Sequence, residues 1–249
     1  MSAPDPLRSL RQTLPRRRFA SRALQILPLA VLLLAFAGWV LQRAWVCDDA
    51  YITARTVDNF LHGHGLRWNP AERVQVYTHP LWMLALAAAA RCTHEFFYTS
   101  IFLGLGASLA ATALLGAGIA SGVPQACFGI GLLLLSRAFA DYSTSGLENP
   151  LVHLLLGLFL LGWFRRSDSP GQRCFLPASL LLCTRLDAVL LVLPPLVVLL
   201  LRRPRRRTWG AALLASAPFL AWEGFALLYY GCALPNPAFA KLGTGLGAG

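Results

Sequence analysis

Long runs of apolar residues recur along this chain, and no other feature limits its possible folds as strongly. Several approach the roughly 20 residues that a helix needs to cross a bilayer. The 249 residues are 56% hydrophobic and only 13% charged, whereas soluble domains carry about 25% charged residues. The sequence therefore predicts an all-α, polytopic membrane helical bundle. Its apolar runs cover residues 24–45, 80–93, 98–120, 124–140, 150–164, 175–201 and 209–230.

The basic residues predict which side of the membrane each loop occupies. Twenty-one of the 22 are Arg, and most stand beside apolar runs, as they do in cytoplasmic loops. We expect residues 1–23 to form a basic cytoplasmic arm and the loop 46–79 to lie outside. The same distribution argues against a nucleic-acid partner despite the net charge of +11. The first run continues to Val46, past an A-x-A-like stretch, which favours an uncleaved span over a cleaved signal peptide.

The number of membrane segments stays open, because Arg-rich loops flank both ends of some runs. We expect about seven to nine segments, some of them short or re-entrant. Arg185 and Asp187 interrupt the run 175–201, and charges are costly in hydrocarbon. The sequence therefore predicts two short helices that meet at these residues on the outer side.

The loop 46–79 opens with two adjacent acids, Asp48 and Asp49. One interpretation makes Asp48 a helix N-cap and Asp49 a favourable first-turn charge. The other makes them a general base and a ligand for a metal or a hydroxyl group. Spacing alone leaves both open. An amphipathic helix is predicted to follow, with its apolar side formed by Ala50, Ala54, Val57 and Leu61 and its polar side mostly by Arg55, Thr56, Asn59 and His62.

Four groups of motifs follow one another in the order found in a known superfamily. The loop contains DDAYITAR, GHGLRWNP and VYTHPLW, and TSGLENPL, TRLDA and YYGCALPNPAFAK come later. This pattern, across residues 45–241, resembles the GT-C superfamily of membrane glycosyltransferases, in particular the bacterial group that includes the mycobacterial terminal arabinofuranosyltransferases. His79, Leu186 and Pro237 depart from the group's motifs, which usually have Asn, Pro and Thr there. Because such relatives continue further, we expect residues 24–249 to be a GT-C-like transmembrane module truncated at its C-terminus.

The resemblance implies an inverting transfer of a sugar from a polyprenyl-phosphate donor to a cell-envelope acceptor. The reaction is expected on the outer face of the inner or plasma membrane. The first-loop acids are then catalytic, with Asp48 preferred as the base and Asp49 as its neighbour, which binds the acceptor or a divalent cation (Mg²⁺ or Mn²⁺). The substrate-binding candidates are Arg55, His64, Glu72, Tyr77, Thr78, His79, Glu148, Arg185, Asp187, Asn236 and Lys241.

The sequence leaves two questions open, the role of Lys241 and the class of the whole protein. Lys241, the only lysine, is either a snorkelling residue at the end of an apolar segment or a cation that holds the donor phosphate. The whole chain, in turn, is either a transferase or a multi-span transporter or lipid-linked-sugar flippase, in which Arg185, Asp187 and Glu223 line a path. Transporters are usually built from two similar halves, and none are visible in the sequence. A structural membrane subunit would have no need of a charged, His-rich loop.

Overall fold

The computed structural model describes residues 22–164, 170–202 and 206–241, and all regular elements within these ranges are helical. This confirms the all-α prediction. The predicted basic arm, 1–23, lies almost wholly outside the described residues. The helices are α1 Arg22–Leu41, α2 Asp48–Leu61, α3 Pro80–Thr93, α4 Phe97–Ala113, α5 Val123–Leu135, α6 Arg137–Asp141, α7 Asn149–Phe164, α8 Pro170–Leu182, α9 Val189–Arg202, α10 Arg206–Ala215, α11 Ala217–Tyr230 and α12 Asn236–Lys241.

Most helices follow the predicted apolar runs, but three runs are divided. The run 124–140 breaks at Ser136, whose hydroxyl accepts a hydrogen bond from the Phe139 amide and so caps α6. The run 175–201 breaks between α8 and α9, as the two charges in its middle predict. The run 209–230 bends by 43° between α10 and α11. A π-helical segment, Leu114–Ile119, continues α4.

Few of these helices are long enough to cross a bilayer by themselves. Phe97–Ile119, with 23 residues, meets the length and hydropathy criteria, and the bent pair α10–α11 meets them only as one unit. Five further apolar helices and the segment Leu27–Leu41 of α1 have 10–17 residues, short of the roughly 20 required. The helix of the first predicted span ends at Leu41 rather than near residue 45. The predicted number of crossings therefore stays a prediction.

Four apolar clusters join the described helices. The first loop packs on α3 and α11 through a cluster that contains Val57, Leu66, Tyr77 and Trp82. A second cluster joins α7, α8 and α9, a third joins α1, α4 and α6, and a fourth joins α8 and α10. Polar side chains from the first loop, the start of α7 and the α8–α9 break meet between the first two clusters, and there the candidate site lies.

Candidate active site

Asp48 and Asp49 form the first turn of α2, and both are exposed. The N-cap interpretation of Asp48 is wrong, because Cys47 occupies that position and makes no side-chain cap. Asp48 Oδ1 instead accepts hydrogen bonds from the Asp49 amide at 3.0 Å and the Cys47 thiol at 3.2 Å. These contacts, the thiol first, lower the pKa of the Asp48 carboxyl. The carboxylate is thereby oriented and kept ionised.

The segment 143–148 joins the start of α2 to α3 and α7. The Cys47 amide donates to the Ser145 carbonyl at 2.8 Å, and Trp82 Nε1 donates to the Gly146 carbonyl at 2.9 Å. Gly146 has φ +78°, and a Cβ on it would lie 2.8 Å from that of Ala50. Only glycine tolerates both the backbone conformation and this close approach.

A buried polar chain runs from α2 to the start of α7. Thr53 Oγ1 lies 2.8 Å from His79 Nε2, and His79 Nδ1 lies 3.4 Å from Glu148 Oε2 without a hydrogen bond. Burial lowers the pKa of His79, while the Glu148 charge opposes that shift. A neutral ring with its proton on Nδ1 suits both neighbours, because Nε2 then accepts from the Thr53 hydroxyl.

Glu148 also faces Arg185, which lies in the α8–α9 break. Arg185 Nη1 is 3.6 Å from Glu148 Oε1. On its other edge, Nε and Nη2 donate to the two carboxylate oxygens of Asp187 at 3.0 and 2.8 Å. The Asp187 side chain is 64% exposed and that of Glu148 only 11%. With His79 neutral, these three charged groups carry a net charge of −1.

A cavity of about 690 Å³ opens beside Glu148 and Arg185. Its walls come from α4 with its π-helical extension, α5, α6 and α7. Most of the lining is apolar, including Leu115, Leu133 and Leu156, whereas Glu148, Asn149, His153 and Arg185 contribute polar groups. The cavity therefore combines a mainly apolar lining with one carboxylate and one guanidinium.

Three other candidates make contacts that hold the first loop in place. The Arg55 guanidinium lies 4.4 Å from the Trp68 ring centroid, and its Nε donates to the Trp68 carbonyl. Tyr77 is 2% exposed, and its hydroxyl lies 3.0 Å from that of Tyr230. The backbone amide of Asn236 donates to the backbone carbonyl of Gln75 at 2.9 Å, and the Asn236 side chain is exposed.

The remaining candidates are not brought together with the buried polar chain. His64 and Glu72 are exposed on the loop, where Glu72 accepts a hydrogen bond from Asn69. Thr78 borders a separate small cavity. Lys241 ends α12, but its side chain lies outside the described residues, so its role stays a prediction.

The buried face of α2 differs from the predicted one. Thr53, Thr56 and Asn59 are buried, although the pattern placed Thr56 and Asn59 on the polar side. Asn59 Nδ2 donates to the carbonyls of Arg67 and Trp68. The side-chain amide thus supplies the hydrogen bonds that water would otherwise give to these two loop carbonyls. Sequence reasoning did not identify Thr53 as a site residue, because hydropathy does not reveal a hydrogen-bond partner 26 positions away. Its place in the first motif was the available signal.

A cation site at the start of α2 is chemically reasonable. One potential ligand atom from each of Cys47, Asp48 and Asp49 lies within 4.8 Å of the others. Carboxylate oxygens suit Mg²⁺ or Mn²⁺, whereas a thiol favours softer metals. The two carboxylates therefore fit such an ion, which commonly takes one or two of them with waters and substrate phosphate.

The chain is similar to enzymes that transfer arabinofuranose. It is 28% identical over 234 residues to the terminal β-(1→2)-arabinofuranosyltransferase of Mycobacterium tuberculosis, a match that covers 86% of this chain and 37% of the relative. It is 33% identical over 150 residues to the enzyme of the same name from Corynebacterium glutamicum, covering 55% of this chain and 21% of the relative. The matched parts thus make up little more than a third of the first relative's length and about a fifth of the second's. No family model and no solved structure matches it.

Proposed function

We propose that this chain, which is similar to the terminal arabinofuranosyltransferases, contains the donor site of an inverting GT-C-type membrane glycosyltransferase. It transfers a sugar from a polyprenyl-phosphate donor to a cell-envelope glycan on the outer face of the membrane. Arabinofuranose is the first sugar to test, because both relatives are named for it. One observation carries the proposal: Thr53, His79, Glu148 and the Arg185–Asp187 pair bring four separate motifs into contact, and Glu148 and Arg185 also line an apolar cavity.

An amphiphilic donor suits this arrangement. The apolar walls of the cavity accept part of a prenyl chain, whereas Arg185 in the lining binds the phosphate. A guanidinium holds phosphate in two parallel hydrogen bonds, and its charge stabilises the polyprenyl phosphate as it leaves the sugar. Lys241 ends the last of the motifs that resemble those of GT-C enzymes, and it is proposed as a second cation at the phosphate.

Asp48 acts as the general base in this proposal. It removes the proton from the acceptor hydroxyl while that oxygen attacks the anomeric carbon from the face opposite the phosphate. Two hydrogen bonds to Oδ1 orient the carboxylate and leave Oδ2 available for the proton. Asp49, one position further along α2, binds the acceptor or a divalent cation. Such a cation, when bound, would lower the pKa of a coordinated hydroxyl group.

Residence in a membrane is supported by the outer surface of the helices. Leu34, Leu135 and Leu228 are 73%, 84% and 90% exposed, and they belong to three different helices. Exposed apolar surface on this scale marks contact with a membrane or a partner protein. We propose that lipid covers it and that the chain crosses the membrane several times.

The direct test is a transfer assay with the protein in nanodiscs. The donor is a polyprenyl-phosphate arabinofuranose, and the acceptor is a short arabinan. We expect a product whose new anomeric linkage is inverted relative to the donor, as read by NMR, and Arg185→Gln should weaken donor binding. Movement of the donor across a liposome membrane without transfer would favour the flippase alternative. An inactive protein that binds no prenyl phosphate would contradict the proposed donor site.

A further inference from the structure

The guanidinium proposed to hold the donor phosphate already has a partner on its best-placed edge. Nε and Nη2 of Arg185 each donate to one oxygen of the Asp187 carboxylate. This two-bond geometry is the one in which a guanidinium also binds a phosphate. The remaining amino group faces Glu148 at 3.6 Å. A phosphate therefore finds the binding edge of Arg185 occupied.

The two carboxylates around Arg185 are not equally fixed. Glu148 is buried between Arg185 and His79. The Asp187 side chain is 64% exposed and pairs mainly with Arg185, only two residues away, with smaller contributions from the backbone amides of Asp187 and Ala188. An exposed ion pair of this kind contributes little to stability, so Asp187 can leave Arg185 without disturbing the packed helices, whereas Glu148 cannot.

The net charge around Arg185 requires that the Asp187 carboxylate move away before a phosphate binds. With Asp187 in place, the group formed by Glu148, Arg185 and Asp187 carries a net charge of −1 and repels an anionic phosphate. Without the Asp187 carboxylate, Glu148 and Arg185 balance, and two guanidinium donors become free. While Asp187 is paired with Arg185, the site is thus closed to a phosphate.

We propose that Asp187 is an internal substitute for the donor phosphate, occupying Arg185 in the empty site and leaving when the phosphate enters. The inference rests on the proposed function, because it takes a lipid phosphate as the ligand of Arg185. It reverses the role predicted from the sequence motif: Asp187 opposes substrate binding instead of contributing to it. Apparent affinity falls by the fraction of molecules in which the site is free, so removing the Asp187 charge should strengthen phosphate binding.

The test compares two probes, farnesyl phosphate and farnesol, on the whole chain in nanodiscs by isothermal titration calorimetry. For Asp187→Asn we expect farnesyl phosphate to bind about two- to sixfold more tightly, the range set by an exposed ion pair. Farnesol should bind unchanged, and the gain should shrink as salt is raised. Asp187→Glu, which keeps the charge, should gain less than Asp187→Asn.

Asp58→Asn is the matched control, because Asp58 on α2 is similarly exposed (70%) and pairs with His62, the residue after this helix. If Asp58→Asn binds farnesyl phosphate more tightly to the same degree, the effect comes from overall charge and the inference is overturned. Unchanged or weaker farnesyl phosphate binding in Asp187→Asn would also overturn it. The Arg185→Gln variant distinguishes a failure of the role of Asp187 from a failure of the proposed function. If Arg185→Gln abolishes the preference for the phosphate over the alcohol while Asp187→Asn changes nothing, the donor site stands and the role of Asp187 fails. If the wild type shows no such preference, the donor site itself fails.

Discussion

The Asp48 carboxylate has one oxygen engaged and one available, and its role is testable by a change that preserves shape. Asp48→Asn keeps an oxygen for the Asp49 amide but cannot take a proton. We expect the transfer rate to fall about 10²- to 10⁴-fold with unchanged thermal stability. Asp49→Asn should cost less, and Asp58→Asn on the same helix should cost nothing. A fully active Asp48→Asn protein would assign the base to another group.

The same carboxylate predicts the acid limb of the pH–rate profile. Hydrogen bonds from Cys47 and Asp49 lower the pKa of Asp48, so its basic form persists to lower pH than for an ordinary aspartate. We therefore expect the rate to fall only below the usual aspartate pKa of about 3.9. A rate that already halves near pH 6 would indicate a different base.

His79 predicts how stability depends on pH. Burial places its folded-state pKa below the unfolded value, with Thr53, Glu148 and Arg185 facing the ring. Below about pH 6.5 the unfolded chain therefore binds the proton more readily, and stability is lost as pH falls. We expect the unfolding midpoint in detergent to drop between pH 7 and pH 5.5, and less so in His79→Gln. The exposed histidine variant His64→Gln should keep the wild-type slope; equal slopes in all three proteins would contradict the assignment.

At the scale of elements, the fit of α2 against the segment 143–148 depends on Gly146. Alanine there must adopt φ near +78° and place its Cβ against Ala50. Such strain costs roughly 1–3 kcal/mol, so Gly146→Ala should lower the unfolding midpoint and reduce transfer. Gly224→Ala, in α11 where a Cβ meets open space, should be neutral or slightly stabilising. Comparable melting of the two variants would show that the contact is unimportant.

Helix positions were largely predictable from the apolar runs, and so was the break between α8 and α9. The predicted run 80–93 coincides with α3, because Pro80 starts a helix and the chain turns at His94 in the left-handed conformation. The buried face of α2 was not predictable. Periodicity separates apolar from polar residues, but Asn59 is buried because two loop carbonyls need a donor, and those carbonyls are set by the fold of the loop.

For the whole molecule, topology is the decisive prediction. The Arg-rich arm should stay cytoplasmic and residues 46–79 should face outside. In a background without the six native cysteines, Glu72→Cys should react with a membrane-impermeant maleimide on intact cells, because its side chain is exposed. Arg8→Cys should react only after permeabilisation. The reverse pattern would exclude an outer-face reaction.

The sequence alone determined the helical class, the approximate positions of most helices and the order of the motifs, because hydropathy and motif spacing are properties of neighbouring residues. Only the tertiary structure decided that Thr53, His79, Glu148 and Arg185 lie in one chain of contacts beside an apolar cavity. It also decided that Asp187 occupies the guanidinium expected to bind phosphate. Contacts between residues 26 to 69 positions apart depend on how helices pack, and charge partnerships depend on distances that no linear pattern contains.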